Sequence, residues 1–219
     1  VSIANAVFYA ESAIFLSHFK GHELSGFGGA LKNMGMGCGT RAGKYAMHHS
    51  VNPEIDIDKC TGCEKCIKWC SAGALSMKNK KISFDSSKCM GCGECILSCA
   101  FNVFRIPWNE TVKGVQEKIV EYACGALKNK KHFSINFINH ITQYCDCYSD
   151  RGKSLVEDIG IVAGSDPVAV DQASADLVNQ KFGGDFLRSI FPEIDWTVQL
   201  DYAEKLGLGN RKYALVEHK

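Results

Sequence analysis

The chain has 219 residues, 12 of them cysteine, and a formal net charge of +1 from 25 basic and 24 acidic side chains. The two signs are interspersed, which excludes a nucleic-acid footprint, and no run reaches the ~18 apolar residues that a membrane span needs. A hydrophobic content of 46% with only 4 prolines describes a folded chain, long enough for one sizeable core and a small module.

Ser2–Glu11 predicts a short helix, with Ile3, Ala6, Val7 and Ala10 on one face. Ser12–His18, rich in Ile, Phe and Leu, predicts a strand. The run Ser17-His18-Phe19-Lys20-Gly21-His22 then falls at the strand's C-terminal end, where open α/β sheets bind ligands. His18 and His22 are candidates to move protons or to ligate a metal. The alternative is a pair of loop histidines bonded to backbone. Glycines recur from Gly26 to Lys44, a composition that bares amide groups to an anion, with Lys32, Arg41 and Lys44 as countercharge and Cys38 in the same stretch. The spacing is neither a P-loop nor G-x-G-x-x-G, so it names no nucleotide. Tight turns around a close-packed helix explain it as well. His48 and His49 follow, either completing a site or ending a helix.

The strongest pattern comes next. Cys60-x2-Cys63-x2-Cys66-x3-Cys70 is repeated as Cys89-x2-Cys92-x2-Cys95-x3-Cys99, the ligand spacing of a bacterial ferredoxin with two [4Fe-4S] clusters. Three thiolates on a short loop cap three irons of one cluster, and the fourth cysteine starts a helix that points away to serve the other. This assigns Cys60, Cys63, Cys66 and Cys99 to one cluster and Cys89, Cys92, Cys95 and Cys70 to the second. Zinc sites pair C-x2-C units across a longer gap. A disulfide framework calls for an export signal, and Val1–Ala10 has no basic start before an apolar run. So many cysteines without such a signal point to a reducing, low-oxygen cytoplasm. Ser71 and Ala100 stand where the motif often has proline, a departure that bears on potential and not on ligation.

Pro53 and Pro107 bracket these motifs. The predicted organisation is a ferredoxin-like insertion over 53–110, with strands at Ile55–Ile57 and Ile82–Phe84 and helical turns at Cys66–Ala74 and Cys95–Phe101. It interrupts a discontinuous host domain of 1–52 and 111–219. Beyond it, Thr111–Asn129 predicts an amphipathic helix with Val112, Val115, Ile119, Ala123 and Leu127 inward. Cys124 is small packing volume within that helix. His132–Ile138 and Asp158–Ala163 predict strands. Between them, Tyr144-Cys145-Asp146-Cys147 places two thiols and a carboxylate at a strand end. Cys145 and Cys147 are candidates for a metal site shared with His18 or His22, for a redox-active thiol, or for a plain turn. Asp166 caps a helix that opens at Pro167 and runs to about Phe182; Asp171 has no such simple role. Phe186–Ile190 and Trp196–Leu206 predict helices and Tyr213–Val216 a closing strand. The fold class is a layered α/β host domain interrupted by a small α+β bacterial-ferredoxin-like module.

Taken together, His18–His22, Gly28–Gly37, the two cysteine motifs, Cys145-Asp146-Cys147, Asp158–Ile161 and Ser165–Ala173 resemble a large family of uncharacterised iron–sulfur proteins known only as a domain of unknown function. The resemblance covers nearly the whole chain. It implies a cytoplasmic α/β protein with two [4Fe-4S] clusters and no agreed activity. Its members are usually longer at the N-terminus, so a chain starting at Val1 reads as the C-terminal part of a longer protein. The expectation is electron transfer between a redox partner protein and an oxidoreductase site in the host domain. There Lys32 and Arg41 hold a small anionic substrate or cofactor beside Cys38, and His22 donates a proton; a further metal is the other candidate occupant. The competing expectations are a non-catalytic scaffold that docks the module on a partner enzyme, and a metal-delivery factor.

Overall fold

The computed structural model describes residues 1–48, 53–89, 94–105, 112–146 and 152–217. The fold is mixed α/β, in two compact units: Val1–Gly39 with Val112–Lys219, and Thr40–Thr111 between them. The division falls at Gly39/Thr40 and not at residue 52, so Arg41 goes with the smaller unit.

In chain order the strands are β1 (Ser12–His18), β2 (Lys20–His22), β3 (Gly26–Gly28), β4 (Glu54–Ile55), β5 (Leu75–Lys78), β6 (Lys81–Phe84), β7 (Phe104–Arg105), β8 (Lys131–Ile138) and β9 (Gly160–Gly164). The helices are α1 (Asn5–Tyr9), α2 (Ala30–Lys32), α3 (Arg41–His48), α4 (Lys65–Trp69), α5 (Glu94–Ser98), α6 (Val112–Leu127), α7 (Pro167–Phe182), α8 (Phe186–Ile190) and α9 (Val198–Lys205).

The larger unit is built on a three-stranded sheet in the order β1-β8-β9. β1 runs parallel to β8, with Ser12 opposite Lys131 and His18 opposite Phe137, and β9 is antiparallel to β8. Side chains alternate across a strand. Phe15 and Ser17 of β1, Ser134, Asn136 and Ile138 of β8 and Val162 of β9 therefore share the buried face, which α7 covers. The opposite face is apolar and open: Ile14, Leu16 and Ile161 are all more than 60% exposed. Helix α6 buries Val115, Ile119, Val120, Ala123 and Leu127, close to the inward stripe expected. Its Gln116 is fully buried, donating to Asp195 O at 3.0 Å and accepting from Gln199 N at 3.3 Å, which ties α6 to α9.

Two local expectations change. Only Asn5–Tyr9 of the predicted Ser2–Glu11 helix forms, because Ala4 and Ala10 are extended and Ile3 bridges to Gly39 while Ala4 N donates to Cys38 O. Tyr213–Val216 is not a strand. Among the described residues it pairs with no strand; Tyr213 instead donates its hydroxyl to Asp176 at 2.8 Å, and Leu215 and Val216 face solvent. The glycine-dense stretch is more ordered than a loop. It forms β3, which pairs with β2 in a hairpin, then α2, then a π-helical turn over Asn33–Gly37 that packs on α6. A Cβ on Gly35 would stand 2.1 Å from Ile119 O. Gly35→Ala is therefore expected to destabilise the protein by about 3 kcal/mol in urea unfolding, since neither backbone can yield without repacking the α6 contact.

The smaller unit holds two antiparallel pairs. Hairpin β5–β6 turns through Asn79 and Lys80, both at positive φ, as a two-residue hairpin of primed type requires. β4 pairs with β7, which sets Glu54 and Ile55 opposite Arg105 and Phe104. Its core is Cys66, Leu75, Ile82, Val103 and Phe104. Helices α4 and α5 are shorter than predicted and stop just before Cys70 and Cys99. The predicted strand Ile55–Ile57 shortens to Glu54–Ile55, followed by a 3-10 turn over Ile57–Lys59.

Candidate functional site

In the smaller unit Cys60, Cys63, Cys66 and Cys99 line one cavity. Ile82, Val103 and Phe104 form its apolar wall, with Thr61, Glu64 and Phe101 beside them. Three of the thiols come from the first motif and the fourth from the second. The first loop can close because Gly62 adopts a φ of +72° and backs onto Lys80 O, where a Cβ would stand only 2.6 Å away. Cys63 is exposed and Cys66 buried. Burial pushes the Cys66 thiol up, and the charges of Cys99, Cys63 and Cys60 push it further. Of the second set, Cys70 and Cys95 pack against the same apolar cluster, Cys70 Sγ accepts from Ala74 N at 3.2 Å, and Cys89 is half-buried. Cys92 lies outside the described residues. No three His, Cys, Asp or Glu among the described residues are placed to hold a single metal ion.

The second constellation stands at the C-terminal ends of the parallel strands β1 and β8, the position where an open sheet has room for a ligand. From β1 the chain turns into the β2–β3 hairpin; from β8 it enters the loop 139–146. The two connections meet at Gly21, whose N donates to Thr142 O at 2.9 Å and where an added Cβ would stand 2.3 Å from Gln143 O. His18 meets Asp146 Oδ2 through Nδ1 at 2.9 Å and Asn139 O through Nε2 at 2.8 Å. Both ring nitrogens face acceptors, so only the doubly protonated ring donates both bonds. Lys20 Nζ donates to His18 O at 2.8 Å and pairs with Asp146 Oδ2 at 3.1 Å. Partial burial pushes the Asp146 carboxyl up, but the His18 hydrogen bond and the Lys20 ammonium outweigh it and hold the group down at about 2. Beside this pair, Lys32 Nζ donates to Cys145 Sγ at 3.3 Å, and Cys145 is buried.

His18, Lys32 and Cys145 are thus brought to one loop cluster, together with Asp146 and with Lys20, to which sequence reasoning gave no role. The alternation of β2 held the signal: Lys20 and His22 share one side of that strand, on either side of Gly21. His22 has a structural account. Its Nδ1 accepts from Leu24 N and Ser25 N, both at 3.2 Å, and shapes the hairpin turn, with the ring 3% exposed. Cys38 closes the π-helical turn and packs against the main core. Arg41 opens α3 on the smaller unit, exposed, and His48 Nδ1 meets Lys44 O on the same helix. Cys147 and His49 lie outside the described residues. Asp171 gains the role that the sequence left open. Fully buried, it accepts from Ala30 N at 2.6 Å, Leu31 N at 2.8 Å and Asn136 Nδ2 at 2.7 Å, and so caps α2, the element that carries Lys32.

The model of a domain of unknown function, DUF362, matches residues 1–176. The chain belongs to the DUF362 family. Both cysteine motifs, the β1–β8 end and Asp171 lie inside the matched span. None of the curated proteins compared with this DUF362 chain matches it. No helix among the described residues is long and apolar enough to cross a membrane.

Proposed function

We propose that this DUF362 chain is an iron–sulfur electron-transfer protein whose smaller unit is a ferredoxin-like module with two [4Fe-4S] clusters. Its larger unit is then an oxidoreductase, or a component of one, which exchanges electrons with a redox partner. The observation that carries this reading is the cavity shared by Cys60, Cys63, Cys66 and Cys99. A donor set of four thiols, one contributed by the other motif, suits a cuboidal cluster, since the crossed ligand is the signature of two-cluster modules. When bound, each cluster supplies one-electron transfer. The chain's own residues set the conditions for it. Ile82, Val103 and Phe104 exclude water from one side, and the exposed Cys63 leaves an edge from which electrons reach a partner.

Protein purified without oxygen is expected to carry about eight irons per chain with matching sulfide. Zinc in place of iron would overturn the proposal. A further metal at about one per chain would move the larger unit to a metal-handling role.

A further inference from the structure

We infer that Cys145 is a thiolate nucleophile in an anion-accepting pocket, and that its ligand is a small carboxylate-bearing electrophile with a reactive carbonyl carbon. This rests on the part of the reading above that gives the larger unit a reactive site of its own.

Charge placement carries the argument. A Cβ on Gly28 would stand 3.2 Å from Lys32 Cδ and 3.3 Å from Lys20 Cε, so two lysine stems run over the same bare stretch of backbone. Two cationic side chains on neighbouring paths repel, and an anion beside each offsets that repulsion. Lys20 has the Asp146 carboxylate at 3.1 Å. Lys32 points its ammonium at Cys145 Sγ, 3.3 Å away. A cation at that distance favours the thiolate, which is the reactive form of cysteine. Cys145 is 6% exposed, while the Asp146 and His18 side chains beside it are 35% and 25% exposed and mark the side open to solvent. That the cluster suits a carboxylate is visible in its own wiring, since His18 and Lys20 already grip one on the same oxygen of Asp146. An incoming carboxylate competes for these donors, and that brings its neighbouring carbonyl carbon over the thiol. In the capture step the sulfur's electron pair forms the S–C bond, the carbonyl π pair passes to oxygen, and that oxygen takes a proton from Lys32, which recovers it when the adduct reverses.

The test uses two alkylating probes on the anaerobically purified, cluster-loaded full chain, with the modified cysteines located by tandem mass spectrometry. Iodoacetate carries the carboxylate, and iodoacetamide is its neutral counterpart. An ordinary thiolate prefers the neutral reagent. At Cys145 iodoacetate is expected to react at least as fast as iodoacetamide. Cys124, half-buried and with its thiol pushed up by burial and by Glu121 against the opposing pull of its own backbone hydrogen bond, serves as the internal reference. Lys32→Met is expected to slow both reagents at Cys145 by about tenfold, one charge-assisted hydrogen bond's worth, with Lys32→Arg restoring the rate. Lys20→Met is expected to lower only the iodoacetate preference. An unreactive Cys145, or the same reagent ratio at Cys145 and Cys124 in the wild-type chain, would overturn the inference whatever the variants do. Iron and sulfide assayed on the same sample report separately on the electron-transfer reading, so the failure of either is distinguishable.

Discussion

Cys99→Ser and Cys63→Ser are expected to remove the same cluster. Each single variant should fall from about eight irons to about four, and the double variant should retain the same four. Cys92→Ser should remove the complementary set, and its combination with either Cys99→Ser or Cys63→Ser should strip all iron. The ground is that Cys99, although printed at the end of the second motif, lines the cavity of Cys60, Cys63 and Cys66. Helix α5 ends at Ser98, so Cys99 sits where the chain leaves it and returns through Val103 and Phe104, two of the residues that wall the cavity. Under the uncrossed assignment the outcome reverses: Cys99 and Cys92 variants would then be equivalent, and Cys63 with Cys99 would empty both sites. Iron and sulfide assays give the count, and electron paramagnetic resonance of the reduced variants shows whether Cys63→Ser and Cys99→Ser retain the same signal. Different retained signals from those two variants would end the crossed assignment.

Sequence reading reached the elements whose signal is local. Ser12–His18 and Phe186–Ile190 begin and end at the predicted residues, and α7 opens at Pro167 under the Asp166 cap, whose side chain accepts from Val168 N and Ala169 N. The glycine stretch resisted because glycine has no pattern of its own. Whether Gly35 marks a loose loop or a close helix crossing depends on Ile119, more than eighty positions away in the chain. Tyr213–Val216 failed for the opposite reason. Its apolar run is real, but a strand needs a neighbouring edge, and sequence does not say whether one is free.

The same limit applies to the candidate site. His18, Lys32 and Cys145 could be named from residue type and from their place at strand ends. That they converge, and that Lys20 and Asp146 join them, follows from the parallel pairing of β1 with β8, which sets His18 opposite Phe137 and starts both connecting loops from the same edge. The histidines show how residue type alone misleads. His18 and His22 look equivalent in sequence, yet one ring bonds to a carboxylate across the loop cluster and the other accepts two amides inside its own hairpin.

Asp171 is the other position where a single change is expected to have a large effect, and it differs from the cysteines because its effect depends on pH. Asp171→Ala leaves the amides of Ala30 and Leu31 and the side-chain amide of Asn136 without their acceptor in a fully buried place. Each orphaned donor costs about 1–3 kcal/mol, so the loss of unfolding free energy should reach about 3 kcal/mol or more. Asp171→Asn keeps the shape but not the bonding, because its NH2 group meets another donor on whichever side it faces. The carboxyl also carries a desolvation penalty. Burial pushes it up to about 6, against the opposing pull of the Leu31 amide, the Asn136 side chain and the Ala30 amide. A carboxyl raised in the folded state holds its proton more tightly there than in the unfolded chain. Stability is therefore greatest below the unfolded value near 3.8 and declines as pH rises towards about 6. The decline should be about 3 kcal/mol across that window, and flat above it. Asn at this position cannot titrate, so the gap between wild type and Asp171→Asn should narrow by that amount from pH 4 to pH 7. Urea unfolding at several pH values measures it. A constant gap would mean that Asp171 is ionised throughout, held by its three donors more firmly than burial opposes them. Because α2 hangs from this carboxylate and carries Lys32, the same variants should also slow alkylation at Cys145, while a substitution on the far side of the sheet such as Ile161→Thr should leave that rate unchanged.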